Sequence, residues 1–242
     1  VQRLCGHTVR AGMDRYSMVI KNTKQISDSF RENIEYMDRT LPIGKSFDLI
    51  RREIEIGERR AILYFIDGFV KDEAMLKLLD SFMGVTKEDM PEDAAAFSQT
   101  HVPYIEVDVL SDFDQVLRNV LSGVSCLFIE GYASCIAIDT RTYPARSVEE
   151  PDKDKSLRGS RDGFVETIVF NTALMRRRIR DEHLIMEMTE AGQTSRTDIA
   201  ICYLADRVDQ ELLANVKSRI EELQIDDLKM NQQTLAEAMF KR

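Results

Sequence analysis

"AILYFIDGFVKDEAMLKLLDSF", Ala61 to Phe82, decides the fold. Its first six residues form a near-continuous apolar run, as a strand covered on both faces should. Asp67-Gly68 breaks that run. Met75, Leu78, Leu79 and Phe82 then recur at helical spacing, so a helix is expected from about Lys71 to Met83. Upstream, "FDLIRREIEI" alternates around Ile50, Ile54 and Ile56 and reads as a second strand, joined to the first through Gly57-Glu58-Arg59.

The same order returns later. "TEAG" (Thr189–Gly192) precedes "IAICYLADRVDQELLANVKSRI" (Ile199–Ile220), as "IEIG" (Ile54–Gly57) precedes the opening stretch. Placing Phe65 on Tyr203 sets Ile66 on Leu204 and Val70 on Val208. Strand, glycine turn, apolar strand and helix thus occur twice. A duplicated subdomain would produce this pattern, although strand followed by helix is common in any chain. The expected fold class is α/β: two small similar subdomains, mixed sheets with packed helices, joined by a linker.

The remaining elements fit that frame. Ile26, Phe30, Ile34 and Met37 predict an amphipathic helix over residues 23–38, broken by Pro42 and Gly44. "TKEDMPEDAAAF" reads as a short acidic helix or loop and "YIEVDVL" as a strand. "SDFDQVLRNVLSG" is a helix with Ser111 as cap and Gly123 as stop. Val124–Ile129 and Ser134–Asp139 form a hairpin around Glu130-Gly131. Later come a helix from about Phe164 to Arg178, the strands "HLIMEMTEAG" and "DIAICYLAD", and the helix "QELLANVKSRIEEL". The expected units are a leader at 1–22, disordered or vector-derived, then an N-terminal subdomain at 23–143. A linker at 144–163 and a C-terminal subdomain at 164–242 complete them.

Composition excludes several functions. The chain has 242 residues, a net charge of −9 and 43% hydrophobic residues, enough apolar content to bury a core. A nucleic-acid binder would normally be basic. Cys5, Cys126, Cys135 and Cys202 form no C-x-x-C pair and read as structural thiols in a reducing setting. His7, His101 and His183 have no metal-ligand partner at helical spacing, so no metal site and no cofactor are expected. Phosphate-loop, dinucleotide and nucleophile-elbow motifs are missing. Ser134 in "GYASCIA" lacks the closing glycine. No run of about 18–20 apolar residues spans a bilayer. The first residues carry no Met and no signal-peptide core, and the last carry an unfinished helical pattern, as expected of a piece of a longer protein.

Two kinds of charged residue stand out. Asp67 and Asp206 follow the apolar strand of each half, where open sheets bind ligands; the preferred reading is that each caps the following helix. "EEPDKDKSLRGSRDGFVETIVFNTALMRRRIRD" (Glu149–Asp181) sets Arg158, Arg161 and Asp162 before a helix and Arg176, Arg177 and Arg178 at its end. Asp162 is expected to cap that helix, and Arg158 and Arg161 to pin the linker to Glu149 or Glu150. An anion site beside the helix N-terminus or a contact with another subunit remains open for them. Consecutive arginines cannot all face one partner, so some must turn to solvent, a neighbouring subunit or lipid headgroups.

The Glu149–Asp181 stretch resembles the signature of the spore germinant receptor A-subunit family: E-E-P, an acidic spacer, R-G-x-R-D-G-F, and an Asn-containing helix ending R-R-R-I. "SRTDIAICYLADRVDQELLANVKSRI" is similar to the segment that follows it. "PIGKSFDLIRREIEI" and "LYFIDGFVKDEAMLKLLDSF" resemble the branch called stage V sporulation protein AF more than the nutrient receptor subunits. The resemblance implies the amino-terminal half of a spore inner-membrane protein, on the cytosolic side, whose other half spans the membrane. It implies self-association or association with other germination membrane proteins in an oligomeric ion-conducting complex, and no enzymatic activity. The alternative is a nutrient-sensing domain with a small molecule between subdomains. The family contributes no ligand residues at "IDGF" or "LADR".

Overall fold

The first strand pair forms because its turn can. In the computed structural model, β1 (Leu49–Ile56) and β2 (Arg59–Ile66) are antiparallel, from Ile56↔Arg59 to Leu49↔Ile66. Gly57 and Glu58 have φ of 54° and 61°, both in the left-handed region that a two-residue hairpin turn requires. Residues 24–142 except 105, and 163–222 except 193 and 195, are described here.

The chain continues through α2 (Asp72–Met83), α3 (Ala94–His101), β3 (Val107–Leu110), α4 (Phe113–Leu121), β4 (Ser125–Ile129) and β5 (Cys135–Ile138), with α1 (Phe30–Thr40) ahead of β1. The five strands make one antiparallel sheet of order β1-β2-β4-β5-β3. Along β2, Ala61 and Leu63 meet Phe82 and Phe97 of α2 and α3 in one core layer; Ile62, Tyr64 and Ile66 meet α1 and α4 in the other. Helices on both faces explain why β2 lacks polar alternation. The Tyr64 hydroxyl donates to Asp38 at 2.7 Å, tying α1 to β2. Cys126 and Cys135 are buried free thiols, and burial pushes the Cys135 thiol up.

In the first half, two helix starts differ from expectation. α1 begins at Phe30, not near residue 23, with Ser29 at its cap. The preceding segment is extended: Gln25 bridges Asp112, and Ile26 donates to the Ser111 carbonyl at 2.8 Å. Ile26 is buried all the same, which is why its spacing imitated a helix. α4 is capped by Asp112 rather than Ser111, its Oδ1 accepting from the Gln115 N–H at 2.9 Å.

In the second half, α5 (Ile168–Arg178) leads into the antiparallel pair β6 (Leu184–Ala191) and β7 (Thr197–Leu204), then α6 (Gln210–Glu221). α6 packs Val216 and Ile220 against Ile199, Ile201 and Ala191. α5 lies against β7 and also reaches the first core through Ala173. It starts at Ile168, four residues later than expected, with Thr167 at the cap and no side-chain cap bond.

The order helix, hairpin, helix occurs in both halves. It extends further than the strands suggested. Asn33 in α1 accepts the Ser27 N–H at 3.0 Å and donates to the Ser27 carbonyl at 2.7 Å. Asn171 in α5 does the same to Val165, at 2.7 Å both ways. Asn33 and Asn171 are as far apart in sequence as Phe65 and Tyr203. The surrounding sheets are not alike: β2 has β4 on its far side, whereas among the described residues β7 pairs with β6 alone. Both sheets are antiparallel rather than mixed.

Candidate functional site: the buried Arg176 joint

After α1 the chain turns sharply at Pro42–Ser46, with Gly44 at φ 76° and the Ser46 N–H on the Pro42 carbonyl at 2.9 Å. This carries Ser46 and Asp48, both buried, to the second half. The Phe47 N–H donates to the Met186 carbonyl at 2.9 Å, and the Met186 N–H donates to Ser46 Oγ at 2.9 Å. At the far end of the hairpin the Asp67 N–H donates to the Asp48 carbonyl at 2.8 Å.

Arg176 of α5 enters this corner with no exposed surface. Its Nε donates to Asp48 Oδ2 at 2.7 Å and its Nη2 to Asp48 Oδ1 at 3.1 Å. Nη2 also lies 3.3 Å from Ser46 Oγ and 2.9 Å from the Leu184 carbonyl, and Nη1 donates to the Asp181 carbonyl at 3.0 Å. Ser46 Oγ donates to Asp48 Oδ1 at 2.5 Å. A buried bidentate pair of this kind holds only when the remaining donors and lone pairs are satisfied. Here two carbonyls and a hydroxyl engage Nη1 and the rest of Nη2. All three guanidinium nitrogens thus have partners within the protein, and the cluster acts as a joint between α5, β6 and the strand entering β1. Beside it the Cys202 thiol is pushed up, chiefly by burial and then by the Asp48 charge.

The structure splits the arginine triplet. At 100° per residue, Arg176 points inward with Thr172 and Ala173, while Arg177 and Arg178 are exposed. Asp67 and Asp206 are not helix caps. Asp67 accepts from the Gly68 N–H within its own turn at 2.9 Å, and the cap position of α2 is Lys71. Asp206 pairs with Arg207 at 3.4 Å, both solvent-facing, and α6 is capped by Asp209. A turn follows each strand before its helix starts, so both aspartates come too early. Arg158, Arg161 and Asp162 lie outside the described residues; the cap position of α5 is Thr167. Ser46 and Asp48 escaped the sequence reading: two polar residues between a turn and a strand carry no periodic signal, and their partner lies 130 and 128 positions away.

Two polar groups flank the joint. On the α6 side, Glu187 accepts from the Tyr203 hydroxyl and pairs with Lys217. Burial and Glu187 push Tyr203 up to about 12. In the turn before β6, Asp181 Oδ1 accepts from the His183 N–H and faces His183 Nδ1, each at 2.9 Å. Asp181, Glu182 and His183 bring ligand-type atoms within 4.8 Å, yet the His183 and Asp181 groups are spent on each other and the cluster is open.

The Asp181–His183 contact gives a pH expectation. The bond to Asp181 raises His183 above its ordinary 6.5, with Asp206 and Glu182 adding to it. That stabilisation is fully present below the ordinary value and is lost as pH rises through the raised one. Asp181, held below 3.8 by the His183 N–H and then the imidazole, loses its share as pH falls through its lowered value. Wild type should exceed His183→Gln in thermal stability at about pH 5, and the gap should close by about pH 8.5. Thermal unfolding at both pH values checks this; a constant gap contradicts it.

Residues 36–242 match the family described as Bacillus/Clostridium GerA spore germination protein. The chain is 36% identical over 208 residues to Stage V sporulation protein AF of Bacillus subtilis (strain 168), covering 85% of this chain and 42% of that protein. It is 29% identical over 210 residues to Spore germination protein KA of the same organism, covering 84% and 38%. It therefore spans less than half the length of these relatives. Its fold is that of the N-terminal domain of the A subunit of the Bacillus megaterium spore germinant receptor GerK3, with a TM-score of 0.63, 22% identity, and 84% and 75% of the two chains covered. Among the described residues no helix is long and apolar enough to cross a membrane. The chain belongs to the Bacillus/Clostridium GerA family of spore germination proteins.

Proposed function

We propose that this chain is the cytosolic, core-side amino-terminal module of a spore inner-membrane germination protein. It works without catalysis, by assembling with copies of itself or with other germination proteins. It couples that arrangement to an ion-conducting membrane part. Residues 23–143 and 164–242 act as two subdomains, joined through 144–163. The observation that carries this reading is the Arg176 joint. A buried ion pair whose nitrogens all have protein partners fixes α5 and β6 against the first sheet and can pass a displacement from one to the other.

The test compares two substitutions of similar cost in the full-length protein. Ser46→Ala strips the joint of its hydroxyl, at about 1–3 kcal/mol. Asp93→Ala removes the α3 cap, which accepts the Ala96 N–H at 2.8 Å far from the joint, at about 0.5–2 kcal/mol. At equal protein levels in spores, Ser46→Ala should slow germination and cation release more than Asp93→Ala. Equal effects would reduce the joint to a stability element. Low-micromolar binding of an amino acid or sugar in a calorimetric titration would favour a sensor instead.

A further inference from the structure

The outer faces of α5 and α2 carry opposite charge and matching apolar residues. On α5, Phe170, Leu174, Arg177 and Arg178 are spaced i, i+4, i+7 and i+8, so they form one ridge, bordered by buried Ala173. Phe170 is 45% exposed, and α5 contains no acidic residue. On α2, Asp72, Leu76, Asp80 and Met83 form an exposed ridge that borders buried Leu79, with Glu73 beside them and Lys77 at its margin. Leu76 and Met83 are 60% and 65% exposed. Scattered apolar side chains need no explanation. Two apolar residues on each of two helices, framed by arginines on one and carboxylates on the other, form a complementary pair.

Within one copy the two helices pack into different core layers. α2 covers one face of the five-stranded sheet, whereas α5 reaches the core layer on the opposite face through Ala173. We propose that the α5 ridge of one copy docks on the α2 ridge of the next. This rests on the assembly reading above and names its surfaces. Antiparallel packing sets Phe170 near Met83 and brings Arg177 and Arg178 to Asp72 and Glu73. It also opposes the two helix dipoles, with the charges already at their favoured ends. A contact between two different patches is head-to-tail, so it propagates from copy to copy and closes as a ring if the rotation permits. It also gives the split triplet a division of labour, with Arg176 holding the fold and its two neighbours holding the next subunit.

Disulfide trapping tests this. Two differently tagged full-length copies are co-expressed in spores, one carrying Met83→Cys and the other Phe170→Cys. The expected result is a mixed covalent dimer well above that of either variant alone, and above that of Phe170→Cys with Gln99→Cys, an exposed position on α3. Arg177→Glu with Arg178→Glu should abolish it, and Asp72→Lys with Glu73→Lys on the partner copy should restore it. A mixed product no greater than the Gln99 control overturns the proposal. If the protein still sediments as an oligomer, assembly stands and only these surfaces are wrong; if it is monomeric, the assembly reading falls as well. Arginine-dependent binding to phosphatidylglycerol vesicles without any mixed dimer also overturns it, making a membrane the occupant of the α5 ridge.

Discussion

Replacing Arg176 with methionine should destabilise the chain by about 3–5 kcal/mol, the cost of leaving a buried carboxylate without its partner. Asp48 is 1% exposed, so water cannot take over from the guanidinium. The Asp181 and Leu184 carbonyls and Ser46 Oγ would each lose a donor at the same step. Changing both members, Arg176→Met with Asp48→Leu, should recover much of that loss, because replacing both members of a buried pair with apolar residues is often neutral or better. Arg177→Ala with Arg178→Ala should stay within about 1 kcal/mol of wild type, as exposed ion pairs are worth little. Urea unfolding of the variants decides the matter. If Arg176→Met and the Arg177/Arg178 double variant unfold at the same midpoint, the burial assigned to Arg176 is wrong.

Gly68→Val should be the second severe change, and it attacks the same contact without touching charge. Gly68 has φ 79°, a region that costs a non-glycine residue of order 1–3 kcal/mol. A Cβ there would lie 3.1 Å from Val169 Cγ1, 3.2 Å from Ala173 Cβ and 3.3 Å from the Val169 carbonyl. Two of those atoms are backbone or next to it, so α5 itself would have to move, adding roughly 1–3 kcal/mol of overpacking. The lost stability should bring early exposure of α5, seen as faster hydrogen exchange in residues 168–178 than in β4. Gly44→Ala is the comparison: its φ is 76°, but its Cβ would meet nothing within 4 Å. A loss for Gly44→Ala equal to that for Gly68→Val would mean that backbone strain alone acts at Gly68.

Local signals were legible wherever one element's own spacing carried them. The three hairpins flagged by a glycine turn, β1–β2, β4–β5 and β6–β7, fall where expected, because an apolar run bounded by a left-handed turn is a property of neighbouring residues. Helix starts were the weak point. Ile26 and Phe164 sat at positions that look helical, yet Asn33 and Asn171 draw Ser27 and Val165 into an extended approach. A side chain six residues downstream sets that geometry, and apolar periodicity does not register it.

The sequence by itself determined which faces turn away from water, the α/β class, the repeated hairpin-helix order and the family. These follow from hydrophobic spacing and from a long, specific stretch of residues. Only the tertiary structure decided that β4 and β5 complete the first sheet, that Arg176 goes inward while Arg177 and Arg178 go out, and that Asp48 receives it. The reason is physical. Burial periodicity is local, since it repeats every two or 3.6 residues. A buried charge instead needs one particular partner, and here that partner comes from 128 residues away, brought near by the packing of α5 against the end of the β1–β2 hairpin.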